Sequence, residues 1–504
     1  MSADPDILRK DLLAACSETR EGNATDAAEA SGLGQAQGRA AISGSARAGG
    51  GPVPAFVALP GSTEEAAAVM RVAAGHGLAV VVRGGGSRLS WGTPASRCDL
   101  VIDMSRMSGV VEHASGDLVA RLQAGARMGD VAAVLAQAGQ EIALDVPGDA
   151  SVGGVVASGL AGPRRLRYGT PRDLLIGITI VRADGTIAKS GGKVVKNVAG
   201  YDLGKLFAGS AGTLGLITEA TFRLHPRPAA RAYVTTEYVA VSVACDAVAA
   251  AANSPLVSSA VELSRAGPGG PIRVGVLLEG SADGVQARSL RMADLLGKAE
   301  VAAGPPAWWA GAPEPGPGET LIRVSFWVSA LGRVLDAIEA AAAKTGVAPA
   351  VEGSAGAGVL YVRVRPGEAA DAPVPADGTL LTEGAVPAEG RVPAAGGPVM
   401  AGPVTGGPVT GGPAIDDSVT GGTAAALRWA ECRATAEFVG ALREAVAGER
   451  GAVVVLTAPA AVREELAGHG GMNGTVPGLA LMRAVKDQFD PGHRMAPGSF
   501  PEGI

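Results

Sequence analysis

Residues 147–173 read PGDASVGGVVASGLAGPRRLRYGTPRD. Gly148, Gly153, Gly154, Gly159, Gly162 and Gly169 fall within this stretch, separated by small residues such as Ser151, Val152, Val155, Val156, Ala157 and Ser158. Glycines at this density let backbone N–H groups approach a ligand where a Cβ would clash. Successive free N–H groups form a concave partial positive charge, which suits a pyrophosphate. The stretch has no lysine, so such a cradle would be made of backbone, with Arg164, Arg165 and Arg167 just beyond it. A glycine-rich surface turn would have the same composition. A second run upstream, Arg83-Gly84-Gly85-Gly86-Ser87-Arg88, favours the cradle, because it too follows an apolar segment, Leu78–Val82.

The chain has 504 residues, enough for about three domains. Hydrophobic residues make up 47% but aromatics only 3%, so the cores must be built from Val, Leu and Ala. A net charge of −6 argues against a general nucleic-acid binder, whose affinity rests on neutralising phosphates. Cys16, Cys98, Cys245 and Cys432 are scattered with no CxxC pair, so neither a zinc ribbon nor an iron–sulfur ligand set can be read from them. Lone cysteines of this kind fit a reducing cytoplasm. The start, MSADPDILRK, shows no signal-peptide pattern, and no apolar run reaches the ~18 residues of a membrane span. The expected location is the cytoplasm.

Taken in order, residues 1–16 read as a short helix and 17–50 as disordered, being Ala, Gly, Ser and Glu with almost nothing large to bury. Order is expected to begin near Val53. Ser62 or Thr63 caps a helix that Gly75 or Gly77 ends. Strands are expected at Leu78–Val82, Leu100–Asp103 and Leu118–Ala124, with a helix from Met128 to Ala138. A strand at Leu174–Val181, a turn at Ala183-Asp184-Gly185 and a strand at Thr186–Lys189 follow. The segment then runs through KVVKNVAGYD (193–202) to a strand at Leu216–Leu224, stopped by Pro226 and Pro228. Glycine-punctuated alternation of strands and helices implies an α+β domain. Between 231 and 365 the strand–helix order repeats, with Trp308, Trp309 and Trp327 as conspicuous aromatics. Residues 366–424 contain the repeat GGPVM-AGPVT-GGPVT-GGPAI, the composition of a flexible insertion. A helix (LRWAECRATAEFVGALREAVAGE), a strand (AVVVLTAP) and a last helix near 478–488 complete the chain.

The ordered set RGGGS, PGDASVGG, RYGTPRD, KNVAGYD and GTLGLIT resembles the FAD-binding domain of the vanillyl-alcohol-oxidase, or PCMH-type, flavoproteins. Within that family it is most similar to the FAD-binding subunits of bacterial glycolate oxidases. The resemblance is strong over about 52–230 and returns at Lys486–Phe500, KDQFDPGHRMAPGSF. It implies a two-subdomain PCMH-type FAD-binding domain at 52–230 and a smaller α+β cap at 231–365 and 425–475. Residues 1–51 would be mostly disordered, 366–424 a Gly/Pro-rich flexible insertion, and 476–504 a segment returning to the FAD domain. Carried over by position, Arg83, Gly84, Gly85, Gly86, Ser87 and Arg88 would wrap the FAD pyrophosphate through backbone N–H groups. Pro147, Gly148, Ser151, Val152, Gly153 and Gly154 would pass along the pyrophosphate and flavin edge. Ser158, Gly159, Tyr168 and Gly169 would lie near the isoalloxazine ring, and Ile217 would grip the adenine side. Asp173 and Asp202 read as loop-holding residues; Asn197 and Tyr201 are open between ligand contact and an Asx-type turn.

The chain departs from its relatives at informative positions. Many relatives attach FAD through a histidine in the first loop, which here reads Gly85-Gly86-Ser87-Arg88, implying non-covalent FAD. The His-x-Gly-Asp-Gly-Asn-x-His motif of glycolate- and D-lactate-oxidising relatives is missing; of His76, His113, His225, His469 and His493, only His493 is a candidate for chemistry. Ala496-Pro497-Gly498 stands where Asn-Pro-Gly is usual. The resemblance therefore implies an FAD-binding subunit of a glycolate (2-hydroxy acid) oxidase complex, working beside a catalytic FAD subunit and an iron–sulfur subunit, with any membrane association through them. A self-sufficient FAD-dependent 2-hydroxy-acid dehydrogenase and a non-catalytic scaffold are the alternatives. Arg323, Arg363 and Arg365 have the charge to bind a carboxylate but carry no assignment at this level.

Overall fold

The computed structural model describes residues 5–23, 25–26, 54–192, 202–309, 311, 313–365, 417–499 and 501, with the side chains of 417–428 excluded. The expectations for 27–53, for Asn197 and Tyr201, and for 366–416 lie outside the described residues.

The N-terminal unit contains two small sheets around one core. Strands β1 (Thr19–Glu21), β2 (Phe56–Ala58), β3 (Val80–Arg83) and β4 (Leu100–Asp103) form a sheet in the order β1-β2-β4-β3. β2, β4 and β3 are parallel, with Val81 opposite Val101 and Val101 opposite Val57. A parallel pair needs a crossover, supplied by the helix Thr63–His76. The Ser62 hydroxyl accepts from the Glu65 N–H at 3.1 Å to start it, and Gly77, with φ of 64°, ends it. The helix buries Ala66, Ala67, Val69, Met70 and Ala73 on the sheet. The second sheet is antiparallel: β5 (Val110–Ala114), β6 (Val119–Gln123), β8 (Leu175–Val181), β9 (Ile187–Gly191) and β10 (Leu216–Arg223), in the order β5-β6-β10-β8-β9. Two short strands, β7 (Gln140–Glu141) and β11 (His225–Pro226), pair antiparallel with each other. Met70, Leu100, Ile102, Leu122, Leu135, Leu174, Phe207 and Phe222 are fully buried between these elements. Each such aliphatic or phenyl group contributes ~1.5–3 kcal/mol relative to exposure.

The cap is an eight-stranded antiparallel sheet. It uses β12 (Ala230–Tyr238), β13 (Ala260–Arg265), β14 (Ile272–Gly280), β15 (Glu300–Ala302), β16 (Thr320–Ser325), β17 (Ala350–Gly353), β18 (Val359–Val364) and β19 (Ala452–Thr457), ordered β15-β12-β14-β13-β17-β18-β16-β19. Val261, Leu263, Val274, Val276, Ile322, Val324, Val362 and Val455 alternate onto one face. The helices Val241–Asn253, Ala282–Leu296, Leu331–Thr345 and Asp417–Ala447 pack there, contributing Val248, Met292, Val334 and Phe438. The opposite face carries Leu277, Leu321, Tyr361 and Leu456 and meets the N-terminal unit.

The structure changes the sequence reading at the N-terminal end and at the end of the insertion, and shows how the C-terminal segment is held. Residues 17–23 and 25–26 are not free: β1 pairs antiparallel with β2, and Asp26 is 2% exposed. Arg20 binds both Asp26 oxygens at 2.7 and 2.8 Å, and the Arg83 NH1 reaches Asp26 at 3.0 Å. Ion pairing anchors a segment that hydrophobicity alone could not. The helix expected to begin near Leu427 starts at Asp417, inside the stretch assigned to the insertion. At the C-terminal end the helix Leu479–Phe489 buries Lys486 completely. Its Nζ donates to Thr213 O at 2.7 Å, Asp490 Oδ2 at 2.7 Å and Met495 O at 3.0 Å. Met495 then bridges Val80 in parallel, so the tail lies beside the start of β3.

Arg20 beside Asp26 holds its carboxyl at about 2, below the ordinary 3.8. A depressed folded pKa stabilises the fold above the unfolded value, and that stabilisation is lost as pH falls through the folded one. Asp26→Asn should therefore lose ~1–3 kcal/mol at neutral pH in urea unfolding, with a smaller deficit at pH ~2. An unchanged neutral-pH midpoint would mean that residues 17–26 are not anchored.

Candidate functional site

The two glycine runs meet. β3 ends at Arg83, and the next residues pass directly over the loop that precedes the helix Val152–Ser158. A Cβ on Gly84 would stand 2.0 Å from Ser151 Oγ, and one on Gly85 would stand 2.7 Å from Asp149 O. No side chain fits at either position: Gly84 backs onto the Ser151 side chain and Gly85 onto the backbone of Asp149. Ser151 Oγ also accepts from the Gly154 N–H at 3.2 Å and so starts the following helix, while Ser158 Oγ donates to Gly154 O at 2.7 Å near its end. Gly148 accepts from the Gly129 N–H at 2.8 Å, and Pro147 O accepts from the Ala150 N–H at 3.1 Å. Val152 is fully buried and Gly153 packs against Ala124. Gly159 adjoins Gly209, and Ile217 is buried on β10 opposite Ile180.

The two arginines of the first run are used differently. The Arg83 guanidinium is fixed by Asp103, at 2.9 and 2.7 Å, and by Asp26. Arg88 instead lies 4.9 Å over the ring of Trp91, bonding Ser87 O at 3.0 Å and Glu314 at 3.4 Å. Arg88 Nε and Trp91 Nε1 are shielded from solvent and have no acceptor. Buried donors are normally satisfied. Two loops whose backbones no Cβ separates, bordered by donors awaiting acceptors, fit an anionic cofactor held by N–H groups.

Tyr168 and Gly169 sit elsewhere than along these loops. Residues 164–168 form the seam with the cap. Arg164, 6% exposed, binds Glu141 at 2.5 Å, Asp145 at 2.7 Å and Glu279 of β14 at 3.4 Å. The Tyr168 hydroxyl donates to Glu279 at 3.2 Å, and its ring meets His225 edge-on at 4.8 Å. Gly169 is packed against Asp173, which accepts from the Thr170 N–H and hydroxyl, both at 2.8 Å, as a loop holder. Asp202 pairs with Lys205 at 3.6 Å. His493 is exposed and pairs with Asp487 at 2.8 Å. Ala496 adopts a φ of 44°, a left-handed conformation that asparagine tolerates better than alanine.

The cap face opposite the loops carries groups that sequence reasoning missed or left open. Trp91 packs against Leu321, Tyr361 and Leu456. Tyr361 accepts from the Arg165 NH2 at 3.0 Å. Of the three unassigned arginines, Arg363 pairs with Glu352 at 2.6 Å and Glu319 at 3.2 Å, and Arg365 with Glu319 at 2.8 Å. Arg323 alone has no acceptor for its shielded Nε. Burial lowers the pKa of Arg323 below its ordinary value. On β13, Glu262 is buried with Oε1 unpartnered, and burial pushes its pKa up to about 8. The only sequence signal for these groups is a charged residue at an inward strand position, as in LIRVSFW.

Comparison with known proteins decides what the loops belong to. The profile of the family described as "FAD binding domain" matches residues 54–191. The chain has a PCMH-type FAD-binding fold. Its backbone resembles that of p-cresol methylhydroxylase with substrate bound, at a TM-score of 0.65, 14% identity and coverage of 98% of this chain and 96% of that one. "Glycolate oxidase subunit GlcD" of Bacillus subtilis is 32% identical over 216 residues, 42% of this chain and 45% of the relative. "Glycolate oxidase subunit GlcE" of Escherichia coli is 38% identical over 154 residues, 30% of this chain and 43% of the relative. The matched region spans less than half of either relative. FAD is thus the cofactor of this domain, and the two loops lie within the matched segment. Among the described residues, no helix is long and apolar enough to cross a membrane.

Glu262 supplies a test of the cap face. Its folded pKa of about 8 exceeds the ordinary 4.5, so the native chain holds a proton that the unfolded chain releases between those values. Stability contributed by this group is complete below ~4.5 and falls as pH rises towards 8. Glu262→Gln should remove that loss, so its thermal midpoint should gain on wild type more at pH ~8 than at pH ~5. An equal offset at both values would place Glu262 in water.

Proposed function

We propose that this chain is an FAD-binding subunit, of the GlcE type, in an oxidase or dehydrogenase of glycolate or a related 2-hydroxy acid. The observation that carries the reading is the close contact of the two glycine loops, the first of which continues through Trp91 onto a cap face bearing an arginine without an acceptor. In this reading Gly84–Arg88 and Pro147–Gly154 hold FAD non-covalently by backbone N–H groups. Arg88 and Trp91 supply side-chain donors at the rim, while Arg83 acts through its ion pairs to keep the first loop at the end of β3. Ser158, Gly159 and Ile217 border the cofactor, and Tyr168 fixes the cap through Glu279 rather than touching the flavin. When bound, FAD accepts a hydride and passes on single electrons, which suits a chain relaying electrons to a separate iron–sulfur subunit. The cap excludes water from the loops and offers positive charge to a carboxylate.

An anaerobic titration with glycolate and then D-lactate, followed by visible flavin absorption, tests this. The flavin of the isolated chain should stay oxidised and should bleach once a catalytic FAD subunit and an iron–sulfur subunit are added. Bleaching of the chain alone would establish a self-sufficient dehydrogenase instead. Absence of a flavin band after FAD is supplied would overturn both readings and leave a scaffold. Gly84→Ala, which must displace Ser151, should cut flavin content by ~10-fold or more, the effect of moving donors out of register. Unchanged flavin content in that variant would remove the loop contact from the site.

A further inference from the structure

Arg323 lies on β16 with Tyr361 of β18 and Val454 of β19 as its lateral neighbours. Both neighbours belong to the cluster against which Trp91 packs, so Arg323 faces the N-terminal unit and not the cap helices. Its Nε is shielded and unpartnered, and among the described residues no carboxylate makes an ion pair with it. The charged group felt most directly from across the seam is another cation, Arg165, which lowers its pKa further. Arg165 is anchored through Gly162 O at 3.1 Å, Ala161 O and the Tyr361 hydroxyl. Because Tyr361 accepts from Arg165, its own proton is available to another acceptor. The remaining carboxyls around this face are committed: Glu352 and Glu319 to Arg363, Glu314 to Arg88, and Glu279 to Arg164 and Arg231. Glu262, the carboxyl that Arg165 influences, is kept protonated at neutral pH by burial.

Arg165 bonds the Tyr361 hydroxyl and Arg323 stands beside Tyr361 on the sheet, so two guanidinium groups share one neighbour. Like charges repel, and removing one from water without a counter-ion is costly. We propose that Arg323, Arg165 and the Tyr361 hydroxyl form a carboxylate seat shared by the two units, in which a small carboxylate supplies the missing counter-ion. A planar guanidinium binds a carboxylate through two parallel N–H···O bonds. Trp91, Leu321 and Leu456 border the seat, so the rest of the ligand is short or apolar. Since Arg165 belongs to the seam helix and Arg323 to the cap sheet, occupation also ties the cap onto the unit below. Arg323 and Tyr361 thereby become specificity residues. The identity of the ligand as a 2-hydroxy acid rests on the function proposed above; the seat itself does not.

The probe is oxalate, a carboxylate with no hydride to give, added at constant ionic strength against chloride. Oxalate should perturb the flavin spectrum of the FAD-loaded chain and raise the thermal midpoint of both loaded and cofactor-free protein. Arg323→Met should weaken oxalate binding by roughly 30-fold or more while leaving FAD stoichiometry unchanged. Arg323→Lys should recover part of that loss, because a point charge replaces a fork. Tyr361→Phe should weaken binding less than Arg323→Met. Oxalate binding to Arg323→Met with wild-type affinity would overturn the seat, as would no binding to wild type at millimolar concentration. Loss of FAD from Arg323→Met would reassign the arginine to the cofactor and also overturn it. Glycolate bleaching of the assembled complex without oxalate binding to this chain would reject the seat and keep the proposed function; oxalate binding by a chain that takes up no FAD would do the reverse.

Discussion

The contact between Gly84-Gly85 and Asp149-Ser151 is the constraint on which the arrangement depends. Hydrogen-bonded strands and helices fix their own spacing, but here two irregular loops from different parts of the chain must lie backbone against backbone. The loops have no ladder to align them, so the alignment comes from what precedes and follows each. β3 delivers Arg83, whose guanidinium is pinned by Asp103 and Asp26, and the loop leaves from that fixed point. On the other side, Ser151 caps its own helix and Val152 is driven into the core, so the loop cannot lift away without exposing both. Packed cores and buried ion pairs thus position a segment that has almost no side chains of its own.

The cap is held by the opposite kind of interaction. Arg164, Arg231, Glu141, Asp145 and Glu279 make a charged seam in which Glu279 contributes from the cap sheet. A buried pair of this sort adds little net stability compared with apolar packing, yet losing one partner is expensive. It therefore specifies how the sheet sits more strongly than it stabilises the sheet. Tyr168 belongs to the same device: its hydroxyl and ring both face seam residues. The GPRRLRYG segment is thus a hinge of fixed geometry between cofactor loops and cap, which explains why arginines follow the glycines in sequence.

Much of this was legible before the structure. The cap signals at Ser62 and Gly77, the apolar strands at 80–83 and 100–103, and the repeated strand–helix order of the cap all followed from local chemistry. The glycine loops stand out because two such runs occur and the first directly follows an apolar strand, whereas composition alone would also suit a surface turn. What stayed hidden depends on long-range pairing. The segment from residue 17 has too little apolar surface to predict order; its pairing with β2, and Arg20 and Arg83 converging on Asp26, account for it. β5 gives no clear strand signal because VVEHA is half-exposed and pairs only along one edge. Arg323 could not be told from Arg363 and Arg365 in sequence, since all three occupy or adjoin strands; the difference is that carboxylates surround the latter two.

The C-terminal tail shows why a distant segment can matter to the loops. A fully buried lysine is tolerated only when its charge and donors are met, and Lys486 meets Thr213 O, Asp490 and Met495 O. Asp490 in turn accepts from the Met495 and Arg494 N–H groups, so the pair folds the tail back on itself. The tail then exchanges backbone hydrogen bonds with Val80, at 2.7 and 2.8 Å, at the start of the strand that carries the first glycine loop. Thr213 lies in the turn that leads to β10, the central strand of the other sheet. One lysine therefore joins both sheets to the end of the chain. Its position in KDQFDPGH, where Lys486 and Asp490 stand four apart on one helical face, makes this joint readable as a local pair. Its role as a brace between the sheets arises only from the fold.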